Sequence, residues 1–376
     1  MELLEGSAKD VSMKRLSNIV PKKHRHTALD GLFRYADLLN FGEIHVKFDP
    51  KTGLKAIVAI HNLKLGSAIG GCRLIHYSTV DAALEDALRL AYMMSLKAAI
   101  SNLNHGGAKA VLIKPKVIKD RKAYMESFAD FVESLGGRYV TAVDSGTSPE
   151  DMDIIEKHTS FVAGTTSSGA GGDPSPYTAL GVRRGIEAAV KFKLNQENLK
   201  DIHVVIQGAG HVGYLLAKEL HQLGCRLTMC DINPILLQRC VDEFGVTICS
   251  PDDIYDIKAD VFAPCALGAI LNLETMKRLQ VSIVAGSANN QLAHQHHGAL
   301  LHERGILYAP DFVINAGGLI YVAAFYDHAN LSEAESEVSH IYQTLMEIFV
   351  RSEQDNLATN EVSEKIALDR LRGQNK

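Results

Sequence analysis

A chain of 376 residues with 46% hydrophobic and 22% charged residues has the composition of an ordinary globular protein and is long enough for two domains with separate cores. Its net charge of −5 gives no reason to expect a nucleic-acid partner, and the one basic cluster, Lys22-Lys23-His24-Arg25-His26, lacks interleaved aromatics and reads as a solvated loop. The six cysteines form no CxxC pair, the start MELLEGSAKD carries no apolar signal core, and the longest apolar run, Phe312 to Tyr326, is too short for a bilayer and is broken by Asn315 and two glycines, so a reduced, cytoplasmic, membrane-free protein is expected.

The first thirty or so residues are polar and mixed, with no assignable element. From Glu43, the alternating EIHVKFD and the β-rich LKAIVAIHN, joined by Lys51-Thr52-Gly53, predict a β-hairpin. Gly66 to Gly71 reads as a glycine-rich loop, and Val80 to about Ala99 as a long helix. A glycine turn at Gly106-Gly107 then leads through Lys109 into the strand KAVLIKP. RKAYMESFADFVESLGG is an amphipathic helix ended by glycines, and RYVTAVDSG a strand ending in an acid, which together make an α/β unit with a sheet of mixed direction. The Gly-, Ser- and Pro-rich SSGAGGDPSP marks a boundary before a helix beginning near Thr178. Beyond it come HVVIQ, VGYLLAKELHQLG, CRLTMCD, ILLQRCVDEFG, ADVFAPC, MKRLQ, VSIVAG and ILYAPDFV. Short apolar strands separated by helices imply a parallel sheet covered on both faces. The expected fold is α/β: a mixed-sheet domain over residues 1–166 and a Rossmann-type dinucleotide-binding domain over 167–324, with a catalytic cleft between them. Helices in 325–376 are expected to pack back on the first domain.

Two lysines, Lys97 on a helix and Lys109 beyond the glycines, are the first chemical signal. A desolvated lysine near a second ammonium loses basicity. Moving one from about 10.4 to roughly 7–8 takes on the order of 4 kcal/mol of differential interaction. Lys109 then suits acid/base work, and Lys97 the anchoring of a carboxylate. On spacing alone, two surface lysines beside an ordinary turn is the better reading; the rest of the sequence reverses it.

Gly208-Ala209-Gly210-His211-Val212-Gly213 is a G-x-G-x-x-G between the strand His203–Gln207 and a helix. The next strand ends in Asp231, at the usual spacing of about 20 residues from the first glycine. Gly208 permits the turn, Gly210 lets a pyrophosphate approach, Gly213 lets the helix pack on the strand, and the helix N-terminus offers its free N–H groups. Asp231 would accept from both adenosine ribose hydroxyls and repel a 2′-phosphate, which favours NAD over NADP. A purely structural βαβ unit is the alternative. His294, His296, His297 and His302 lack a carboxylate or cysteine that would complete a ligand set, so no metal is expected.

Seen together, GLKAIVAIHN with AIGGCR, MMSLKAA with NHGGAK, TAVDSGTSPEDMD, PSPYTALGVRRGI, APCALGA, AGSANNQL and YAPDFVINAGG resemble the glutamate/leucine/phenylalanine/valine amino acid dehydrogenases, and within them most nearly the leucine enzymes. The resemblance implies reversible oxidative deamination of an L-amino acid to a 2-oxo acid and ammonium, with NAD as cofactor. It assigns Lys97 to the substrate carboxylate, Lys109 to activating water and protonating the carbinolamine, and Asp144 to exchanging protons with the amine. By the same matching, Asn290 or its neighbour Asn289 contacts substrate carboxylate and cofactor, and Thr178 orients the nicotinamide carboxamide. Ile69, Gly70, Ala142, Leu319 and Val322 match the positions that touch the substrate side chain. All are apolar or small, so a branched aliphatic substrate is expected, and glutamate, whose γ-carboxylate would lie unpaired, is not. Three positions depart from the family pattern: Ala108 in GGAK, Val143 before Asp144, and Ser67 after Gly66. The tail after Ala329 matches poorly, so a homo-oligomer is expected without a stated number of copies. Two rivals stay open, an aromatic (phenylalanine or tryptophan) dehydrogenase and an NAD-binding regulator without turnover.

Overall fold

The computed structural model describes residues 41–167 and 172–373; the basic cluster at 22–26 and part of the predicted boundary segment lie outside them. Contacts divide the described chain into two units, one of residues 41–181, 316–344 and 364–373, the other of Val182–Asn315 and 345–363.

The first unit is built on a five-stranded sheet. The predicted hairpin is β1 (Glu43–Asp49) and β2 (Leu54–Asn62), followed by β3 (Ala68–Ile75), the helix α1 (Val80–Ile100), β4 (Gly106–Ile113), α2 (Arg121–Ser134), β5 (Tyr139–Val143) and α3 (Pro149–Glu156). Side chains of Thr79, Asp120 and Ser148 cap the three helices, the last in a capping box with Asp151. The strand order is β1-β2-β4-β3-β5, antiparallel on the hairpin side and parallel where β3 joins β4 and β5, so the sheet is of mixed direction. Alternation along the strands separates two cores. Ala108, Ala110, Cys72 and Leu74 pack with Tyr124, Phe128 and Val132 of α2 and Met152 of α3, whereas Ile57, Ala59 and Val111 pack with Ala83, Ala87, Leu88 and Ala91 of α1.

Two readings of glycine are corrected here. Gly106 and Gly107 lie inside β4, and Gly70 and Gly71 inside β3; none has a positive φ and none makes a turn. They are glycine because other backbone passes over them. A Cβ on Gly107 would stand 2.0 Å from the Ser95 nitrogen of α1, and one on Gly70 would stand 1.8 Å from the Ala108 carbonyl oxygen.

The chain leaves this unit inside α4 (Ser175–Leu194) and enters the six-stranded sheet of the second. The elements are β6 (His203–Gln207), α5 (His211–Gln222), β7 (Arg226–Cys230), α6 (Pro234–Phe244), β8 (Thr247–Ile248), β9 (Val261–Pro264), α7 (Leu273–Arg278), β10 (Ile283–Val284), α8 (His297–Glu303), β11 (Leu307–Tyr308) and α9 (Asp311–Ile314). The two-residue β8 escaped the sequence pattern, and Asp311–Ile314, expected to continue a strand, is a helical turn after Pro310. All pairings are parallel, in the order β11-β10-β9-β6-β7-β8. Counted within the unit this is 6-5-4-1-2-3, the doubly wound arrangement whose direction reverses between β6 and β9. The remaining helices are α10 (Gly317–Tyr326), α11 (Leu331–Ser339), α12 (Ile341–Asp355) and α13 (Thr359–Arg372). Of the tail expected on the first domain, residues 316–344 and 364–373 belong to the first unit and 345–363 to the second. None of the described helices is long and apolar enough to cross a membrane.

Seating α1 on Gly107 leaves no room for a methyl. Gly107→Ala should therefore lower the unfolding free energy by about 3 kcal/mol, the upper end of the usual cost of overpacking. Denaturant unfolding measures it, and a loss below ~0.5 kcal/mol would contradict the close contact.

Candidate active site

The sheet of the first unit gathers the predicted lysine and acid on one face. In β3 the residues on the α1 side are Ile69, Gly71 and Arg73; in β4 they are Gly107, Lys109 and Val111; in β5 they are Val140 and Ala142, with Asp144 one step beyond the strand. Register pairs Ile69 with Gly107, Arg73 with Val111, Gly71 with Ala142 and Ala59 of β2 with Lys109. Gly71 matters for space, since a Cβ there would lie 2.8 Å from the Asp144 Cβ. Lys97 sits on α1 two residues beyond Ser95, the residue that rests on Gly107.

Lys109 is 6% exposed, and its Nζ is in direct contact with Asp144 Oδ2. Burial first, then the Arg73 guanidinium and more weakly the Lys97 ammonium, push the lysine down to about 7. An ionised Asp144 in contact favours the charged lysine in return. The Asp144 backbone is fixed by a residue that sequence reading passed over. Thr147 Oγ1 accepts from the Asp144 N–H at 3.0 Å and lies 2.9 and 3.0 Å from the carbonyls of Asp144 and Cys72. Gly146, at φ 84°, lets this loop fold against β3. Arg73, inside the quoted string AIGGCR but assigned no role, lies 3.4 Å from Asp144 Oδ1.

Beside the pair lies an apolar cluster. Ile69, Val140, Ala163 and Ala323 are buried together, with Leu103, Leu319, Val322 and Tyr326 packed against them. Three expected side-chain contacts, Ile69, Leu319 and Val322, are thus brought together, and Ala142 lies two residues from Val140 on the same strand face. Gly70 is not among them. Its Cβ direction is the opposite face, where its carbonyl accepts from the buried Tyr139 hydroxyl at 2.8 Å. Thr178 belongs to this unit too, on α4, where its hydroxyl donates to the Pro174 carbonyl at 3.0 Å.

The glycine motif lies in the second unit, between β6 and α5. Gly208 has φ 106°, Gly213 has no room for a Cβ because the Gly208 carbonyl oxygen would be 2.1 Å away, and Gly210 meets nothing within 4 Å. One glycine turns the chain, one presses the helix onto the turn, and one leaves open space for a ligand. Gly210 is the N-cap of α5 without any side-chain cap, followed by exposed His211 and half-buried Val212. Asp231 closes β7, its Oδ2 accepting from the Ala209 N–H at 2.6 Å and its Oδ1 from the Asn233 N–H at 2.7 Å. It therefore braces the turn as well as offering its remaining lone pairs. Uncapped helix N–H groups, an open glycine and a terminal carboxylate fit a dinucleotide.

Asn289 and Asn290 are exposed in the same unit. Asn289 Oδ1 accepts from Asn315 Nδ2 at 2.8 Å, while Asn290 takes a left-handed φ of 52° and its carbonyl accepts from the Ala269 N–H at 2.6 Å. The rings of His294, His296 and His297 lie 4.5–5.4 Å apart, and His297 Nδ1 is 2.9 Å from the Leu271 carbonyl. Among the described residues no group of three His, Cys, Asp or Glu is disposed to hold a metal ion.

Comparison with known proteins bears on both units. Residues 40–161 match the family model described as Glu/Leu/Phe/Val dehydrogenase, dimerisation domain, and residues 237–368 the one described as Glutamate/Leucine/Phenylalanine/Valine dehydrogenase. The chain is 43% identical to a leucine dehydrogenase of Bacillus cereus over 90% of its own length and 93% of that protein's. It is 40% identical to a phenylalanine dehydrogenase of Bacillus thermotolerans, over 87% of each chain. The solved structure of L-tryptophan dehydrogenase from Nostoc punctiforme superposes with a TM-score of 0.81 at 38% identity, covering 91% of this chain and 99% of that one.

The poised state of Lys109 is open to direct measurement. With side-chain ¹⁵N-labelled lysine, NMR titration should find one ammonium with a midpoint near 7, absent from Lys109→Met. If every lysine titrates above about 9, near the ordinary value, the desolvation argument fails.

Proposed function

The chain belongs to the Glu/Leu/Phe/Val dehydrogenase family, and we propose from that premise that it oxidises leucine, valine or isoleucine to the 2-oxo acid and ammonium, with NAD as oxidant. Amino acid dehydrogenase activity drawing on NAD(P) comes with the membership; the substrate and the choice of NAD are the proposal. The observation that carries it is the contact of Lys109 with Asp144 in the unit that holds the apolar cluster of Ile69, Leu319 and Val322.

In this reading Lys97 holds the substrate carboxylate, and the apolar cluster receives its side chain. Lys109, neutral above about 7, takes a proton from the attacking water and returns it to the departing amine. Asp144 exchanges protons with the amine and stabilises positive charge there. When bound, the dinucleotide supplies the hydride acceptor. Gly208 to Gly213 and the first turn of α5 would hold its pyrophosphate, and Asp231 its adenosine ribose, where a 2′-phosphate would meet a carboxylate. Asn289, Asn290 and Thr178 are proposed to contact the substrate carboxylate and the nicotinamide. The matched profile over residues 40–161 is described as a dimerisation domain, which supports a homo-oligomer.

A second reading, an aromatic substrate, is favoured by one observation. Identity to phenylalanine and tryptophan dehydrogenases, 40% and 41%, is nearly that to the leucine enzymes. The small side chains of Ala142, Ala163 and Ala323 would give a larger ring its space. A regulator without turnover would have no use for a buried lysine touching an acid.

An absorbance assay at the NADH band decides between them. Leucine, valine and isoleucine should be oxidised with NAD, glutamate scarcely, and NADP should be a poor substitute. Turnover chiefly with phenylalanine or tryptophan supports the second reading, and none with any amino acid overturns both. Lys109→Ala should cut kcat on the order of 10³-fold while NAD affinity stays within a few-fold. A near-normal rate in that variant removes Lys109 from its role.

A further inference from the structure

We propose that Arg73 is a positioning residue for the Lys109–Asp144 pair: anchored by Asp86 of α1, its guanidinium steadies one oxygen of Asp144 while the other stays on Lys109. The proposal rests on the reading of Lys109 and Asp144 as the proton-transferring pair.

Arg73 stands on β3 two residues beyond Gly71, on the face that carries Lys109. Its Nε and Nη2 lie 3.4 and 3.5 Å from Asp144 Oδ1, and its Nη1 donates to Asp86 Oδ2 at 2.9 Å. Asp86 is itself fixed, since the Tyr77 hydroxyl donates to Oδ2 at 2.7 Å and Arg89 Nη2 donates to Oδ1 at 2.8 Å. Burial alone would raise the Asp86 carboxyl, but Arg73, the Tyr77 hydroxyl and Arg89 outweigh it and hold it below its ordinary value. The anchor is therefore a carboxylate at working pH, pulling Arg73 toward α1. On the Asp144 side the contact is long for a hydrogen bond. Arg73 thus acts there chiefly through charge, and Asp144 keeps freedom to exchange a proton. Oδ1 is shared between Arg73 and the Ser145 N–H, which leaves Oδ2 for Lys109.

The charged groups on the α1 side of the sheet around Lys109 are Arg73 from β3, Asp86 and Lys97 from α1, and Asp144 beyond β5, while the buried Cys72 thiol lies on the opposite face. Arg73 is the strongest of the charges that disfavour a second ammonium there. Remove it, and Lys109 holds its proton to higher pH while Asp144 loses the charge that favours its anion.

The test is the pH dependence of kcat/KM for oxidative deamination in Arg73→Met, Arg73→Lys and Asp86→Asn, using whichever amino acid the wild type oxidises. Arg73→Met should lose about 10- to 100-fold in kcat. Its rising limb should move up by about one pH unit, with KM for the amino acid and NAD affinity changed only a few-fold. Arg73→Lys restores the charge, so its limb should return to the wild-type position although the rate recovers only in part. Asp86→Asn removes a carboxylate that favours the charged lysine and frees Arg73 from its anchor, so its limb should move down while kcat falls. A fall in rate with an unmoved limb, or a limb in Arg73→Lys displaced as far as in Arg73→Met, overturns the proposal. If Arg73→Met does not fold, the rates of the other two variants decide: both should lose kcat, and a wild-type kcat in either overturns the proposal. Should the wild type turn over no amino acid, the functional reading fails by itself. The NMR midpoint of Lys109 in Arg73→Met then judges Arg73 alone, and a midpoint unmoved in that variant overturns its role.

Discussion

An ammonium group and a carboxylate in contact, under a packed helix and nearly out of reach of water, is a costly thing for a protein to hold. Taking each ion out of water costs several kcal/mol after relaxation, and mutual attraction recovers that only with good geometry and further hydrogen bonds. Lys109 and Asp144 are held this way, and much of the surrounding unit supplies what the pair needs. Gly107 lets α1 come down on β4 and exclude water, Gly71 makes room for Asp144, Thr147 pins its backbone, and Arg73 answers its second oxygen. Such an arrangement adds little to stability. Its return is a lysine that gives up its proton near neutrality.

The same economy of backbone recurs in the second unit. No side chain caps α5, and the turn before it is shaped by three glycines and braced by Asp231 through the Ala209 N–H. Phosphate is met best by free N–H groups on a fixed turn, so the chemistry there calls for the absence of side chains. Asn290, Ala269 and Gly268 repeat the pattern. A Cβ on Gly268 would lie 2.6 Å from the Asn289 carbonyl oxygen, and both Asn290 and Ala269 accept left-handed backbone to keep the two loops together. Strain of this kind persists where surrounding contacts over-determine the backbone.

If the apolar cluster receives the substrate side chain as proposed, discrimination among substrates falls to few atoms. Ile69, Val140, Ala163 and Ala323 come from β3, β5, the segment after α3, and α10, and the partly exposed Leu319 and Val322 lie on α10 as well. A methylene more or less in such a pocket is worth only about 1–3 kcal/mol. Relatives acting on leucine, phenylalanine and tryptophan can therefore share 40–43% identity with this chain while differing in what they accept.

Much of this was legible in the residues themselves. Period-2 alternation marked β1 and β-rich composition β2, an amphipathic pattern with glycine stops marked α2, and the order strand, G-x-G-x-x-G, helix, strand, Asp231 announced the dinucleotide turn, because those signals are local and a handful of neighbouring residues carries each. What stayed hidden needed contacts between distant segments. Gly70, Gly71, Gly106 and Gly107 look like turns in one dimension; only the helix and strands crossing them reveal that they lie within strands and are glycine for want of space. Arg73 and Thr147 look ordinary until β3, β5 and α1 bring them to Asp144. Composition and spacing name the chemical groups, but distance, burial and the sharing of a carboxylate's two oxygens arise only when chain segments far apart in sequence pack against one another.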